Sequence, residues 1–232
     1  MKFPVSNDPL KINSKFILPL CMLFITVSLA ADAVAYKFAS IGPAIVSGAT
    51  VIFPLTYLIG DVITEVYGYY VNKSLIWSAL FCEILFALSV SFVSHMHILA
   101  NFPYQNDFNH VFDKTIWFVS SGIIADLVSN FLNSMFISKW KISLKGKHFW
   151  VRSIVATLIS QFIQAIIICP LAFWGVSSKM DVLKIMTSAY VVEIGYAFIF
   201  VWPACLLVYY LKKYDKFDAY DIGVSYNPIK FR

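Results

Sequence analysis

Two acidic side chains stand four residues apart in a very apolar stretch, TYLIGDVITEVYGYY. Residues at this spacing share one face of a helix, so Asp61 and Glu65 are expected to lie in line with Tyr57 and Gly68. Two carboxylates this close favour the sharing of a proton or a cation. The pair is therefore a candidate either for proton coupling or for locking helices together.

Two other apolar stretches carry polar residues at helical spacing. These are Asp126, Asn130, Asn133 and Ser134 in GIIADLVSNFLNSMF, and Thr157, Ser160, Gln161 and Gln164 in TLISQFIQAIIICP. An ionised acid at the centre of a membrane helix costs roughly 2.5 to 3.5 kcal/mol, so most of these groups should face a protein interior. No Lys or Arg lies deep in any span, so the interior is expected to contain no buried cation. The three polar faces predict a polar cavity for a neutral or cationic solute.

The elements that must position these residues are membrane helices. The chain is 59% hydrophobic and only 13% charged, far from the roughly 25% charged residues of soluble domains. Runs long enough to cross a bilayer as helices predict an all-α integral membrane protein, a single transmembrane domain over residues 1–232. The six predicted spans cover about 16–36, 38–60, 75–94, 116–138, 153–175 and 189–211.

The basic residues predict how the chain lies in the membrane. Most of the 18 Lys and Arg fall in the two terminal segments, in the loop after span two (Lys73), or in the loop between spans four and five. Because positive charge is enriched in cytoplasmic loops, both termini are expected in the cytoplasm. The net charge of +5 then reflects orientation against a lipid bilayer, and no nucleic-acid partner is predicted.

Enzyme and metal chemistry find no support in the pattern. The sequence has no Ser-His-Asp arrangement, no HExxH and no Gly-rich phosphate loop, so neither an enzyme nor a cofactor is predicted. The histidines at 95, 97 and 110 match no strong metal-ligand spacing. The four cysteines lie inside spans without CxxC spacing and are predicted to be buried apolar residues.

The two halves of the chain share a short sequence similarity, which we call the internal echo. FPLTYLIG in span two and CPLAFWG in span five share Pro-Leu, an aromatic residue and a glycine. Paired helices interrupted at corresponding positions are typical of inverted repeats in transporters. The similarity therefore predicts a bundle of two inverted three-helix halves.

The motif FPLTYLIGDVITEVYGY resembles the signature of the queuosine precursor transporter family, the YhhQ-like vitamin uptake transporter type. The resemblance covers nearly the whole chain and includes Lys37, Asp126, Arg152, the AFWG stretch at 172–175 and Pro203. It implies a six-helix bundle in the bacterial inner membrane that takes up 7-deazaguanine bases, the precursors of the tRNA nucleoside queuosine. These bases are 7-cyano-7-deazaguanine, 7-aminomethyl-7-deazaguanine and queuine.

Two positions depart from that family pattern. Gln164 stands where many relatives have Asp, and Glu193 stands where they have Lys. The departures leave open which base is carried, and a carboxylate at Glu193 would suit an amine. Candidate substrate-binding residues are Phe53, Tyr57, Asp126, Asn130, Gln161, Gln164, Trp174 and Glu193.

The energy source is also open at this point. The chain has no ATP motif of its own, so it is either a secondary carrier or a substrate-binding subunit of an energy-coupling-factor type transporter. The second alternative would need energising ATPase subunits as partners. A homo-oligomer is possible in either case.

Overall fold

The computed structural model describes residues 5–6, 14–42, 44–96, 103–112, 115–172 and 179–230. Long helices dominate this part of the chain, with two small pairs of strands. The helices are α1 (Ile17–Val34), α2 (Gly48–Ile52), α3 (Pro54–Tyr67), α4 (Tyr69–Ser94), α5 (Gln105–Phe112), α6 (Thr115–Ser143), α7 (Phe149–Ala172) and α8 (Lys179–Asp215). The strands are β1 (Val5–Ser6), β2 (Phe38–Ile41), β3 (Ala44–Ser47) and β4 (Asp218–Ala219).

The prediction of an all-α membrane protein is confirmed, although the count of six spans is not exact. Five helical segments of the described chain are long and apolar enough to cross a membrane: Ile17–Val34, Gly48–Tyr67, Tyr69–Ser94, Phe149–Ala172 and Met180–Asp215. The predicted span 116–138 lies within α6, which has 29 residues.

The second predicted span, 38–60, was wrong in its first half. Residues 38–47 form an antiparallel hairpin of β2 and β3, which pairs Phe38 with Ser47. The Ser47 hydroxyl accepts a hydrogen bond from the backbone N–H of Ala49 and so caps α2. A new helix begins at Pro54, because the fixed backbone of proline suits the first turn of a helix. An apolar run therefore did not distinguish strand from helix here.

Helix α3 lies at the centre of the bundle. It packs against α1, α4, α6, α7 and α8, and nearly all of its side chains are buried. The outer faces of the surrounding helices expose large apolar side chains, including Phe81 and Trp202, as expected for lipid contact. Acidic residues on α3 therefore have protein on every side.

Gly68 ends α3 and does not continue its polar face. Its φ of +92° is a backbone conformation that glycine adopts readily, and its N–H donates to the Thr64 carbonyl. Helix α4 starts at the next residue. The predicted line of Tyr57, Asp61, Glu65 and Gly68 thus holds for the first three residues only.

The two terminal segments meet at one end of the bundle. Strand β1 pairs in parallel with β4, and the Ser14 hydroxyl donates to Asp215 Oδ2 at 2.6 Å. Tyr67 at the end of α3 donates to the same oxygen, also at 2.6 Å. The termini therefore share one face of the molecule, which we call the tail end; its cytoplasmic location stays a prediction.

The prolines of the internal echo occupy different helix positions. Pro54 is the first residue of α3, whereas Pro170 lies near the end of α7. The echo therefore does not mark one equivalent break in two helices, and the inverted halves stay a prediction.

Candidate functional site

A cavity of about 100 Å³ lies in the half of the bundle away from the tail end. Its walls come from the hairpin, α1, α2, α6, α7 and α8, together with Phe53 between α2 and α3. Four polar side chains with carboxylate or amide groups line it: Asp32, Asp126, Gln164 and Glu193. We call this space the main cavity.

A chain of hydrogen bonds closes the side of the main cavity that faces α3. The Tyr57 hydroxyl donates to Gln164 Oε1 at 3.0 Å, and Gln164 Nε2 donates to Asp126 Oδ1 at 2.5 Å. Three helices thus hold one donor–acceptor chain, which fixes the Gln164 amide orientation. Tyr57, a predicted aromatic partner of the substrate, lies on the α3 side of the main cavity. Its hydroxyl is already hydrogen-bonded to Gln164.

Two carboxyl groups in the main cavity have unused hydrogen-bonding capacity. Glu193 is buried, and no described residue forms a hydrogen bond or ion pair with it. Asp32 Oδ2 is likewise without a hydrogen-bond partner in the described chain. Because buried polar groups are normally paired, these oxygens are available to a bound solute.

The other predicted binding residues lie beside the main cavity. Asn130 lines a cavity of about 10 Å³ with Asp126 and Glu83, and its amide donates to the Asp126 carbonyl. Gln161 lines a separate space with Asp61. Trp174 lies outside the described residues, and the roles of all these candidates stay predictions.

All the hydrogen-bond partners of the Asp61 carboxylate are neutral side chains. Asn133 Nδ2 donates to Asp61 Oδ1 at 2.5 Å, and the Ser153 hydroxyl donates to Asp61 Oδ2. The Thr157 hydroxyl lies 3.4 Å from the same oxygen. A space of about 20 Å³ adjoins this group and is also lined by Tyr57 and Gln161.

Glu65, one helical turn further on, lies among cations. Lys212 Nζ is 2.7 Å from Glu65 Oε1, and Arg152 Nη1 is 2.9 Å from Oε2. Lys141 Nζ is 3.7 Å from Oε1 and donates to the Glu65 carbonyl. Asp218 in the tail binds both lysines, at 2.6 and 2.8 Å.

The prediction that no cation is buried was therefore wrong. Arg152 and Lys141 are 1% and 2% exposed, although both stand near the ends of their helices in the sequence. Long basic side chains carry their charge several ångströms from the backbone, so a residue at a span end reaches a carboxylate inside. A buried glutamate on the central helix was the signal that could have indicated these partners.

The C-terminal tail covers the same end of the bundle. Asp221 Oδ2 accepts from the Tyr69 backbone N–H at 2.9 Å and from Ser138 Oγ at 2.5 Å. Trp77 Nε1 donates to the Pro228 carbonyl at 3.0 Å, and Lys73 Nζ to the Lys230 carbonyl at 2.9 Å. Together with the ion pairs of Glu65, the tail closes this end of the protein.

A polar cavity inside a bundle of apolar helices is a feature of multi-pass membrane transporters. The family model described as "Putative vitamin uptake transporter" matches residues 47–208, more than half of the chain. The chain belongs to this family of transporters, the one that its motif resembles. No curated protein and no solved structure matches the chain.

Proposed function

We propose that the protein imports queuosine precursors across the bacterial inner membrane. The observation that carries the proposal is the main cavity, where Asp126, Gln164 and Glu193 converge from three helices. Carboxylate and amide groups match the several donors and acceptors of a 7-deazaguanine base. Membership of the vitamin uptake transporter family supports uptake as the activity.

The edge, the planar face and the amine of the base each have a candidate partner in the main cavity. The guanine-like edge carries N–H donors, which a carboxylate such as Asp126 accepts in pairs. Phe53 supplies an aromatic ring at the cavity wall for the planar face of the base. Glu193 offers its carboxylate to the amine of the aminomethyl base or of queuine. The cavity therefore favours these two amines over the uncharged cyano base.

The closed tail end supports a mechanism of alternating access. Glu65, its three cations and the tail must separate before a base can leave towards that side. The chain from Tyr57 through Gln164 to Asp126 lies between the main cavity and this closed end. A base bound to Gln164 or Asp126 would compete with that chain and so loosen it.

Complementation tests the proposal. The chain is expressed in bacteria that neither make nor import the precursors, each base is supplied in turn, and queuosine is measured in tRNA. We expect rescue by at least one base and its loss in Gln164→Leu, with Asp181→Asn as an exposed control that keeps it. Failure of every base at normal membrane levels of the protein would reject the substrate.

ATPase subunits and a second copy of the chain remain predicted partners of the transporter. Purification in mild detergent would show whether ATPase subunits or a second copy of the chain accompany it. Uptake by the chain alone in liposomes would support a secondary carrier.

A further inference from the structure

A second polar site lies between the main cavity and the tail end. Asp61, Ser153, Thr157 and Gln161 face one small space of about 20 Å³, enough for one water-sized species. Asp61 and Gln161 are each 1% exposed. The polar side chains of this site are therefore buried, and its lining differs from that of the cavity assigned to the base.

Oxygen acceptors without a donor lie at and beside this small space. Gln161 Oε1 has no hydrogen-bond partner among the described residues, and neither does Oδ1 of Asn133, the amide that binds Asp61. The Ser153 and Thr157 hydroxyls donate to Asp61, and each keeps oxygen lone pairs of its own. Since buried acceptors without donors are costly, this group of oxygens is suited to a cation.

The charge at this site matches a monovalent ion. Asp61 is the one carboxylate among the residues described around the space, so a divalent ion would leave a buried positive charge unpaired. The ion-pair cluster beside it has three cations, Lys141, Arg152 and Lys212, but two carboxylates, Glu65 and Asp218. An ionised Asp61 offsets that surplus positive charge from one helical turn away.

We propose that Asp61, Ser153, Thr157 and Gln161 bind one small monovalent cation, H⁺ or Na⁺, that drives transport. The coupling step rests on the proposed uptake function, whereas the ion site does not. When the cation neutralises Asp61, the surplus charge of the ion-pair cluster is no longer offset. The cluster that closes the tail end is thereby weakened.

Other titratable groups also face this interior and act on the same equilibrium. They are Tyr57 and Glu65 of α3, Asp32 of α1, Glu83 of α4, Asp126 of α6, Arg152 of α7, and Glu193 and Tyr196 of α8. A pH effect alone would not single out Asp61. The test therefore compares each ion response in the wild type with that in Asp61→Asn.

The first experiment measures ion binding without any base. The full chain in detergent is heated in choline chloride or NaCl at fixed pH, and in choline chloride over a range of pH. Because a ligand of the folded state stabilises it, we expect Na⁺ or added protons to raise the wild-type Tm by about 5 °C at saturation. The response should disappear in Asp61→Asn and persist in Asp181→Asn.

A second pair of variants identifies the ion. Thr157→Val and Gln161→Leu remove oxygen ligands but keep the carboxylate. A Na⁺ site should lose affinity about tenfold or more in both, whereas proton binding to Asp61 should persist. If neither ion raises the Tm of the wild type more than that of Asp61→Asn, the space holds water only and the proposal is overturned.

The last experiment tests coupling in liposomes. A gradient of the identified ion should drive accumulation of the base in the wild type, and Asp61→Asn should lose that accumulation about tenfold or more. Equal accumulation by both would overturn the coupling. If the wild type shows the ion response but transports no base, the substrate assignment fails and the ion site stands.

Discussion

Asp61 and Glu65 show that equal spacing and equal burial do not give equal surroundings. Both carboxylates are 1% exposed, one helical turn apart on α3. Asp61 is held by an amide and two hydroxyls, whereas Glu65 is held by three cations. The first arrangement permits a change of charge, and the second fixes the charge and joins α3 to α6, α7 and α8.

Removing the charge of Glu65 should destabilise the protein strongly. Glu65→Gln leaves Arg152 and Lys141 buried with fewer negative partners, and breaking a buried ion pair from one side costs about 3–5 kcal/mol. We expect Tm in detergent to fall by about 10 °C. The control is Asp181→Asn, whose partner Lys184 is 4.0 Å away on the surface and whose loss should have little effect. An equal Tm for both variants would show that the buried cluster is not stabilising.

Glu193 should determine whether the transporter prefers bases with an amine or uncharged bases. Hydrogen bonds to charged groups contribute about 1.5–3 kcal/mol, so Glu193→Gln should raise KM for the aminomethyl base tenfold or more. KM for the cyano base should change little, because that base has no amine to pair. Competitive uptake of the two bases measures the selectivity directly. Equal losses for both bases would show that Glu193 acts on structure and not on selectivity.

At the scale of elements, the junction of α3 and α4 depends on the tail. Gly68 turns the chain, and a Cβ built there would lie 2.8 Å from Asp221 Oδ1. The other oxygen of Asp221 accepts the N–H of Tyr69, the first residue of α4. A tail residue thus supplies the cap that α4 does not supply for itself, which ties the tail to the central helix.

Asp221→Ala should loosen this junction. The change leaves the Tyr69 N–H and the Ser138 hydroxyl without their acceptor, and loss of a helix cap typically costs about 1–2 kcal/mol. Thermal unfolding in detergent measures the loss. Asp221→Asn is the matched control, since its amide oxygen still accepts a hydrogen bond, and it should retain most of the stability. An Asn variant as unstable as the Ala variant would mean that charge, not capping, matters there.

At the scale of the whole molecule, one end is closed and basic while the other carries the main cavity. Helix α4 begins beside the tail at Tyr69, and its 26 residues extend about 39 Å to Ser94. Helix α5 follows at the far end. The membrane separates the two ends if the protein lies as its basic residues predict.

Thiol labelling tests that orientation. In a variant with the four native cysteines replaced, Asn106→Cys on α5 should react with a membrane-impermeant maleimide in intact spheroplasts. Ser225→Cys in the tail should react only after the membrane is opened. Both positions are exposed, so accessibility within the protein does not distinguish them. The reverse pattern would place the termini outside.

The sequence alone was enough to predict the class of fold and the acids that lie inside. Length and apolar runs determine membrane helices, because a bilayer leaves backbone groups few alternatives. The spacing of Asp61 and Glu65 puts both on α3, and the motif places the chain in its family. The hairpin at 38–47 escaped prediction because its apolar residues suit a strand as well as a helix.

Only the tertiary structure decided what each polar group meets. Lys141, Arg152 and Lys212 converge on Glu65 from separate parts of the chain, and Asp218 pairs with the two lysines. Hydrophobic periodicity contains no information about such distant pairs. The hydrogen bonds of the tail to α4 and α6 likewise place it over the bundle, a position that no sequence pattern indicates. Spacing along a helix determines which residues share a face, whereas the packing of helices determines which charges share a site.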